Sequence, residues 1–464
     1  MSKYKKLMSN SIVFAVGNFG SKFINILMVP LYTFYLTTEN YGTVDLVTTL
    51  VSLLLPIFSF CIYEGVLRFS MERESDIEEV WTNSLFIQII LSFFCILLLP
   101  VLSMTLLNDY KIVIVGLLLL QLFQILLSQF VRGIGNVIYY SINGILMTLI
   151  IATSNIFFIV KLGMGVNGYI YSIILANVIS VFFLFFSSKV YKFINFNKFS
   201  LSFIKESLYF SMPLVPNTLM WWLINSSSRL FIVYFLGASA NGLFAVSNKV
   251  PMILTSIIAI FNQAWQMSAI EEYDSKDRSI FYNKVYSSTI SVLYLSTSLI
   301  LIILLPLFQY AIGSEFYNSW KYVPFLLLGV VYSSFATFLG TNYVAAKKTK
   351  GLVITSLYCG VINIILNTLL IPIIGINGAS ISSMISLFVL WMLRIEDTKK
   401  FVDIGFDKQI MIFNNGMIFL QILFLYYFDG VWNISIQILS FIIMLIINKE
   451  FILKFKNIIL EIRR

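Results

Sequence analysis

Phe34-Tyr35-Leu36-Thr37-Thr38-Glu39-Asn40-Tyr41-Gly42 recurs 200 residues later as Tyr234-Phe235-Leu236-Gly237-Ala238-Ser239-Ala240-Asn241-Gly242. In each copy a long apolar run ends, a few turn-forming residues follow, and a second apolar run opens. Gly165-Val166-Asn167-Gly168 recurs in the same way as Gly375-Ile376-Asn377-Gly378, at an offset of 210. Both members of this second pair fall between the fifth and sixth apolar runs of a six-run unit. The matched features keep their order, so the two units run parallel. Two six-span lobes of the same topology imply a pseudo-twofold axis along the membrane normal, with substrate sites near mid-membrane.

The composition agrees with a membrane solvent. Of 464 residues, 59% are hydrophobic and 11% charged, against about 25% charged in ordinary soluble domains. The mean hydropathy is +0.90. So few charges cannot cover a water-exposed surface. The net charge of +9 is spread through short gaps between apolar runs, not gathered on one polar face; it reads as topology signals, and nucleic acid is not an expected partner. There is no histidine, which removes the commonest general base and metal ligand. Cys61, Cys95 and Cys359 are scattered through apolar runs and read as packing residues. The basic N-terminus before the first run resembles a signal peptide, but the run is long, holds Lys22 and Pro30, and lacks a cleavage site; a retained span is expected.

At about 20 residues per span, apolar segments fall near 8–36, 42–66, 81–107, 112–131, 138–160, 166–187, 207–236, 242–269, 283–309, 322–343, 352–374, 377–393, 410–428 and 431–448. The expected fold is therefore an all-α polytopic membrane protein of about 14 transmembrane helices. Residues 1–190 form an N-terminal lobe (spans 1–6), 191–400 a C-terminal lobe (spans 7–12), and 401–464 two additional spans and a tail. With the N-terminus cytoplasmic, 25 of the 31 Lys and Arg residues fall inside, including Lys189, Lys192, Lys198 and Lys205 in one loop. Lys111, Lys161 and Lys321 fall outside, and Lys22, Arg229 and Lys249 lie within spans. This is a strong positive-inside split, and it puts both termini in the cytoplasm.

Leu366-Asn367-Thr368-Leu369-Leu370-Ile371-Pro372-Ile373-Ile374-Gly375-Ile376-Asn377-Gly378-Ala379-Ser380 resembles a stretch common in bacterial polysaccharide repeat-unit flippases. Lys347-Lys348-Thr349-Lys350 resembles that family's basic loop between its tenth and eleventh spans. Leu31 through Gly42 resembles its first outer turn. The likeness covers the whole chain in length, span number and lobe layout. It implies membership of a superfamily shared with multidrug and toxin extrusion antiporters and the lipid II flippase. It further implies two lobes in a V, alternating access, no ATP hydrolysis, and a location in the bacterial cytoplasmic membrane. The implied substrate is an undecaprenyl-pyrophosphate-linked oligosaccharide moved from inner to outer leaflet for capsule, exopolysaccharide or O-antigen synthesis. Membrane lipids and a polysaccharide polymerase complex are the implied partners, and a monomer is expected. No cofactor is expected, and Na+ or H+ coupling stays open.

A charge inside a span faces a cavity or a partner. Lys22 lies about 20 Å into the first span at 1.5 Å per residue. With Arg229 and Lys249 it forms a candidate cationic site for the pyrophosphate; each also reads as a structural pair or a snorkelling residue. Asn18, Asn25, Asn217, Asn225, Asn262 and Gln263, near Trp221, Trp222 and Trp265, are candidates for glycan contact, or for interhelical hydrogen bonds. Glu64 and Arg68 are spaced i, i+4, as an inner gate or a plain intrahelical pair. Asp45 reads as a coupling or gating carboxylate, as a partner for Lys22, or as a helix-end acid. Gly163-Met164-Gly165-Val166-Asn167-Gly168 matches GxGxxG but lacks the strand a dinucleotide site needs. A drug exporter needs intramembrane carboxylates, which are few here. An acyltransferase needs a histidine and a polymerase a large outer loop, and neither is present.

Overall fold

The computed structural model describes residues 20–449, apart from 73–74, 105–106, 274, 347, 349, 401, 403, 406 and 429. Among the described residues every regular element is helical. Among the described residues twelve helices are long and apolar enough to cross a membrane, or thirteen when the bent pair Ala238–Ser247 with Lys249–Asn262 is taken as one span. Helix 20–35 is the described part of the first expected span. The chain is a polytopic α-helical membrane protein with the expected succession of spans.

The contacts divide the chain into two compact units, Met1–Val233 with Gly237–Gly242, and Tyr234–Leu236 with Leu243–Arg464. The first unit holds α1 (20–35), α2 (Thr38–Ser59), α3 (Ile62–Ser70), α4 (Ile77–Cys95), α5 (Leu98–Ser103), α6 (Lys111–Gly133), α7 (Val137–Asn155), α8 (Gly165–Ser187), α9 (Leu201–Ser211) and α10 (Leu214–Leu236) up to Val233. Its centre is α6, whose Ile114, Leu118 and Leu122 are wholly buried at helical spacing, with Phe130 and Val131 below them. Lipid tails are as apolar as these side chains, so close dispersion contact and polar bonds hold the helices together.

The outer turn explains why Thr37 and Glu39 stand where they do. The Thr37 hydroxyl accepts the Asn40 N–H at 3.2 Å, capping α2, and Glu39 lies in the first helical turn. The second span breaks between α2 and α3, where Phe60 and Cys61 both adopt left-handed backbone (φ 45° and 53°). Ser59 Oγ takes up the freed Cys61 N–H.

The long basic connection between spans 6 and 7 is folded onto the start of α4. Asn83 donates to Lys198 O and accepts the Ser200 N–H, and Thr82 bonds both Phe193 O and the Asn195 N–H. Asp76 caps α4 through the Glu78 and Glu79 N–H groups and pairs with Lys198 at 2.7 Å.

The second unit holds most of α11 (Ala238–Ser247), with α12 (Lys249–Glu271), α13 (Arg278–Ala311), α14 (Val323–Ala345), α15 (Lys350–Ile374), α16 (Ile376–Thr398), α17 (Lys408–Tyr427) and α18 (Gly430–Ile447). It is built round α14, the most buried span. Phe338 of α14 stacks on Trp265 (4.1 Å between centroids), and Trp391 Nε1 donates to Tyr286 Oη at 2.8 Å. Spans 13 and 14 are joined by reciprocal amides. Asn414 and Asn448 bond each other, and the side chains of Gln421 and Gln437 each donate to the other's backbone carbonyl.

The second sequence repeat marks equivalent turns. Gly165 and Gly375 both take positive φ (52° and 65°) where one span ends and the next begins. A methyl group on Gly378 would lie 2.5 Å from the Leu370 backbone, whereas one on Gly168 would stand 3.1 Å from the Met164 and Phe158 Cβ atoms and 3.2 Å from the Phe158 carbonyl carbon. Gly378→Ala is therefore expected to lower stability by roughly 2–3 kcal/mol and Gly168→Ala by less than about half of that, read as thermal midpoints in detergent.

Lys198 is the chief cause, with the two backbone donors, of an Asp76 carboxyl held below its usual range. A depressed carboxylate stabilises above its unfolded pKa and loses that contribution as pH falls through the folded value. Asp76→Asn should accordingly lower the thermal midpoint at pH 7, with wild type and variant converging as pH falls below the ordinary carboxylate range.

Candidate functional site

The two copies of the outer-turn motif meet in space. A Cβ on Gly42 would collide with Ala238 O, and a Cβ on Gly242 would collide with Thr38 O. The contact is reciprocal. The Thr38 and Ser239 hydroxyls bond across it at 2.7 Å. Only glycine permits this approach, so the glycine ending each copy has a packing reason to be there.

One turn inside this seam, Arg229 Nε donates to Asp45 Oδ2 at 2.9 Å, with the two side chains 18% and 17% exposed. Asn241 donates to the same carboxylate oxygen at 3.2 Å and to Gly42 O at 2.9 Å. Arg229 also reaches the Asn225 carbonyl at 3.4 Å. Seven residues along α2, Ser52 accepts from Trp222 Nε1 at 2.9 Å, and Trp222 lies seven residues before Arg229. Antiparallel α2 and α10 are thus joined by two polar rungs at matching spacing, with Cys61 and Thr218 in contact farther along. A carboxylate at this depth is costly alone; here it accepts from two side chains.

Asn217, Trp221 and Asn225 are exposed and Arg229 half-buried at i, i+4 spacing, so they form one stripe along α10. On α1, Lys22 is half-buried and Asn25 exposed, three residues apart. Lys22 has no hydrogen bond or ion pair among the described residues, and Asp45 pairs with Arg229 instead. Ser21 beside it lines a cavity of about 280 Å³ with Gln124, Ser128, Gln129 and Asn143. Among the described residues, Gln129 Oε1 and Asn143 Oδ1 there are buried with no donor.

The remaining candidates lie elsewhere. Arg68 pairs with Glu72 at 3.0 Å, one turn beyond Glu64, in an exposed setting. In the second unit, Lys249 opens α12 at the bend of the eighth span, and Asn262 is half-buried farther along it. Asn18 and the Gln263 side chain fall outside the described residues. Asn241, Ser52 and Trp222, which complete the α2–α10 seam, were not singled out as bonded partners by sequence; the 200-residue offset that pairs Asn241 with Tyr41 was the available signal. Arg394, counted by sequence with the loop cations, is 1% exposed inside the second unit.

Spans of this number, broken helices and a polar seam inside the bundle define a polytopic membrane protein. The fold is that of known transporters. The lipid II flippase MurJ, in an inward closed conformation, matches with a TM-score of 0.68 at 17% identity, over 95% of this chain and all of that one. An inward-facing multidrug resistance MATE transporter of the MOP superfamily matches with a TM-score of 0.62 at 14% identity, over 82% of this chain and 98% of that one. Residues 7–266 match the family model described as polysaccharide biosynthesis protein, and the chain belongs to that family. An uncharacterized membrane protein of Methanocaldococcus jannaschii, MJ1068, is 27% identical over 270 residues, 54% of this chain; the match spans about half (52%) of that relative's length.

The Asp45–Arg229 pair is open to a double-mutant cycle. Either single alanine should cost roughly 2–4 kcal/mol, and the double less than the two together, with a coupling of about 1–3 kcal/mol in thermal or denaturant unfolding. Additive losses would mean that the pair contributes nothing as a pair.

Proposed function

We propose that the protein is a flippase carrying a polyprenyl-pyrophosphate-linked oligosaccharide from the inner to the outer leaflet by alternating access, for surface polysaccharide synthesis. The observation that carries this reading is the stripe Asn217, Trp221, Asn225 and Arg229 on α10. Amides and a guanidinium exposed on a membrane span belong against water or substrate, because lipid leaves them unsatisfied. The stripe's chemistry suits the cargo: amides and an indole face for sugar hydroxyls and rings, a guanidinium for phosphate oxygens. Lys22, free of a protein partner among the described residues, adds a second cation. The basic loops then face the cytoplasm, where the charged substrate is loaded.

Arg229 has two competing uses in this scheme. With the substrate absent it holds Asp45, tying the outer ends of the second, seventh and eighth spans. A pyrophosphate reaching Arg229 competes with Asp45 and loosens that tie, so cargo binding favours opening on the outer side.

The test is leaflet assignment of a lipid-linked glycan in proteoliposomes. Wild type should transfer it. Lys22→Ala and the pair Trp221→Ala/Asn225→Ala should slow transfer by ten-fold or more with unchanged thermal midpoints. Transfer that is normal in both variants removes the stripe from the mechanism. A well-folded wild type that moves no lipid-linked glycan but exports cationic drugs overturns the flippase reading.

A further inference from the structure

A cavity of about 940 Å³ with charged lining lies wholly within the second unit, where α15 begins and α16 ends. Lys348, Lys350, Thr355, Glu396, Asp397 and Lys400 supply its polar lining. Its two carboxylates already have partners. Glu396 pairs with Lys399 at 2.8 Å, and Asp397 pairs with Lys400 at 2.7 Å and accepts from Tyr343 Oη at 2.8 Å. Lys350 has no ion pair among the described residues.

Behind the cavity wall sits Arg394, 1% exposed. Its guanidinium donates to Ala336 O at 2.7 Å, Ser356 Oγ at 3.0 Å and Thr355 Oγ1 at 3.3 Å, all uncharged. No carboxylate lies within ion-pair distance of it among the described residues. Glycines make room for this arrangement: a Cβ on Gly340 would stand 2.9 Å from Arg394 Nη1, and one on Gly351 would collide with Asp397 Oδ2. A buried guanidinium with only neutral acceptors leaves an uncompensated positive field, and one of those acceptors, Thr355, lines the cavity.

The other wall is apolar. Ile354, Tyr358 and Leu393 line it, and from there α15 continues as an exposed apolar face through Val353, Leu357 and Val361. A free anion has no use for that face; an anion carried on hydrocarbon chains does. We infer that this cavity binds the phosphate headgroup of an anionic membrane phospholipid, with Lys348 and Lys350 at the phosphate and the acyl chains along α15. The inference does not depend on the transport reading.

Protein reconstituted in phosphatidylcholine nanodiscs doped with phosphatidylglycerol is compared by native mass spectrometry and thermal midpoint with Lys348→Ala/Lys350→Ala and with Lys350→Arg. Wild type is expected to retain phosphatidylglycerol over phosphatidylcholine and to be stabilised by it. The double alanine variant should retain it about ten-fold less, with an unchanged midpoint in pure phosphatidylcholine, and Lys350→Arg should behave as wild type. Equal retention of the two lipids, or equal retention by wild type and the double variant, overturns the inference. So does a thermal shift from inorganic phosphate in phosphatidylcholine as large as that from phosphatidylglycerol, which makes the cavity a free-phosphate site.

Discussion

The contact of Gly42 with Gly242 is the constraint on which the first unit's polar seam depends. Two peptide backbones come together because neither residue has a Cβ. That approach brings Asn241 within reach of both Gly42 O and the Asp45 carboxylate. Asn241 fixes the carboxylate, and the carboxylate fixes Arg229. Arg229 in turn ends the exposed stripe of α10. A substitution with any side chain at either glycine would therefore be felt three links away, at a guanidinium it never touches.

Much of the fold was legible in the sequence, and for a physical reason. A span must satisfy its own backbone hydrogen bonds, so its length and apolar character are written locally. The same holds for the turns: Thr37 as cap and the positive-φ glycines 165 and 375 are local requirements of the chain. The repeats were visible because the two copies must make mutually compatible contacts, which restrains both at once.

The site was less legible, because its bonds join residues far apart in sequence. Asp45 and Arg229 are each conspicuous as charges within spans, yet nothing local says that they belong together. Lys22, nearer to Asp45 in sequence, makes no such bond among the described residues. Arg394 was hidden by its position: the apolar run ends at Leu393, so it read as the first residue of a basic loop. The helix in fact continues to Thr398, and the residues that receive the guanidinium, Ala336, Thr355 and Ser356, come from two other helices.

The amide rungs between α17 and α18 bear on how the chain is made. A lone Asn or Gln leaving the ribosome inside an apolar segment resists partitioning into lipid. In this hairpin Asn414 and Gln421 have their partners, Asn448 and Gln437, on the very next span. The last two spans can thus release from the insertion channel together, as a hairpin already internally bonded, and dock afterwards on α13.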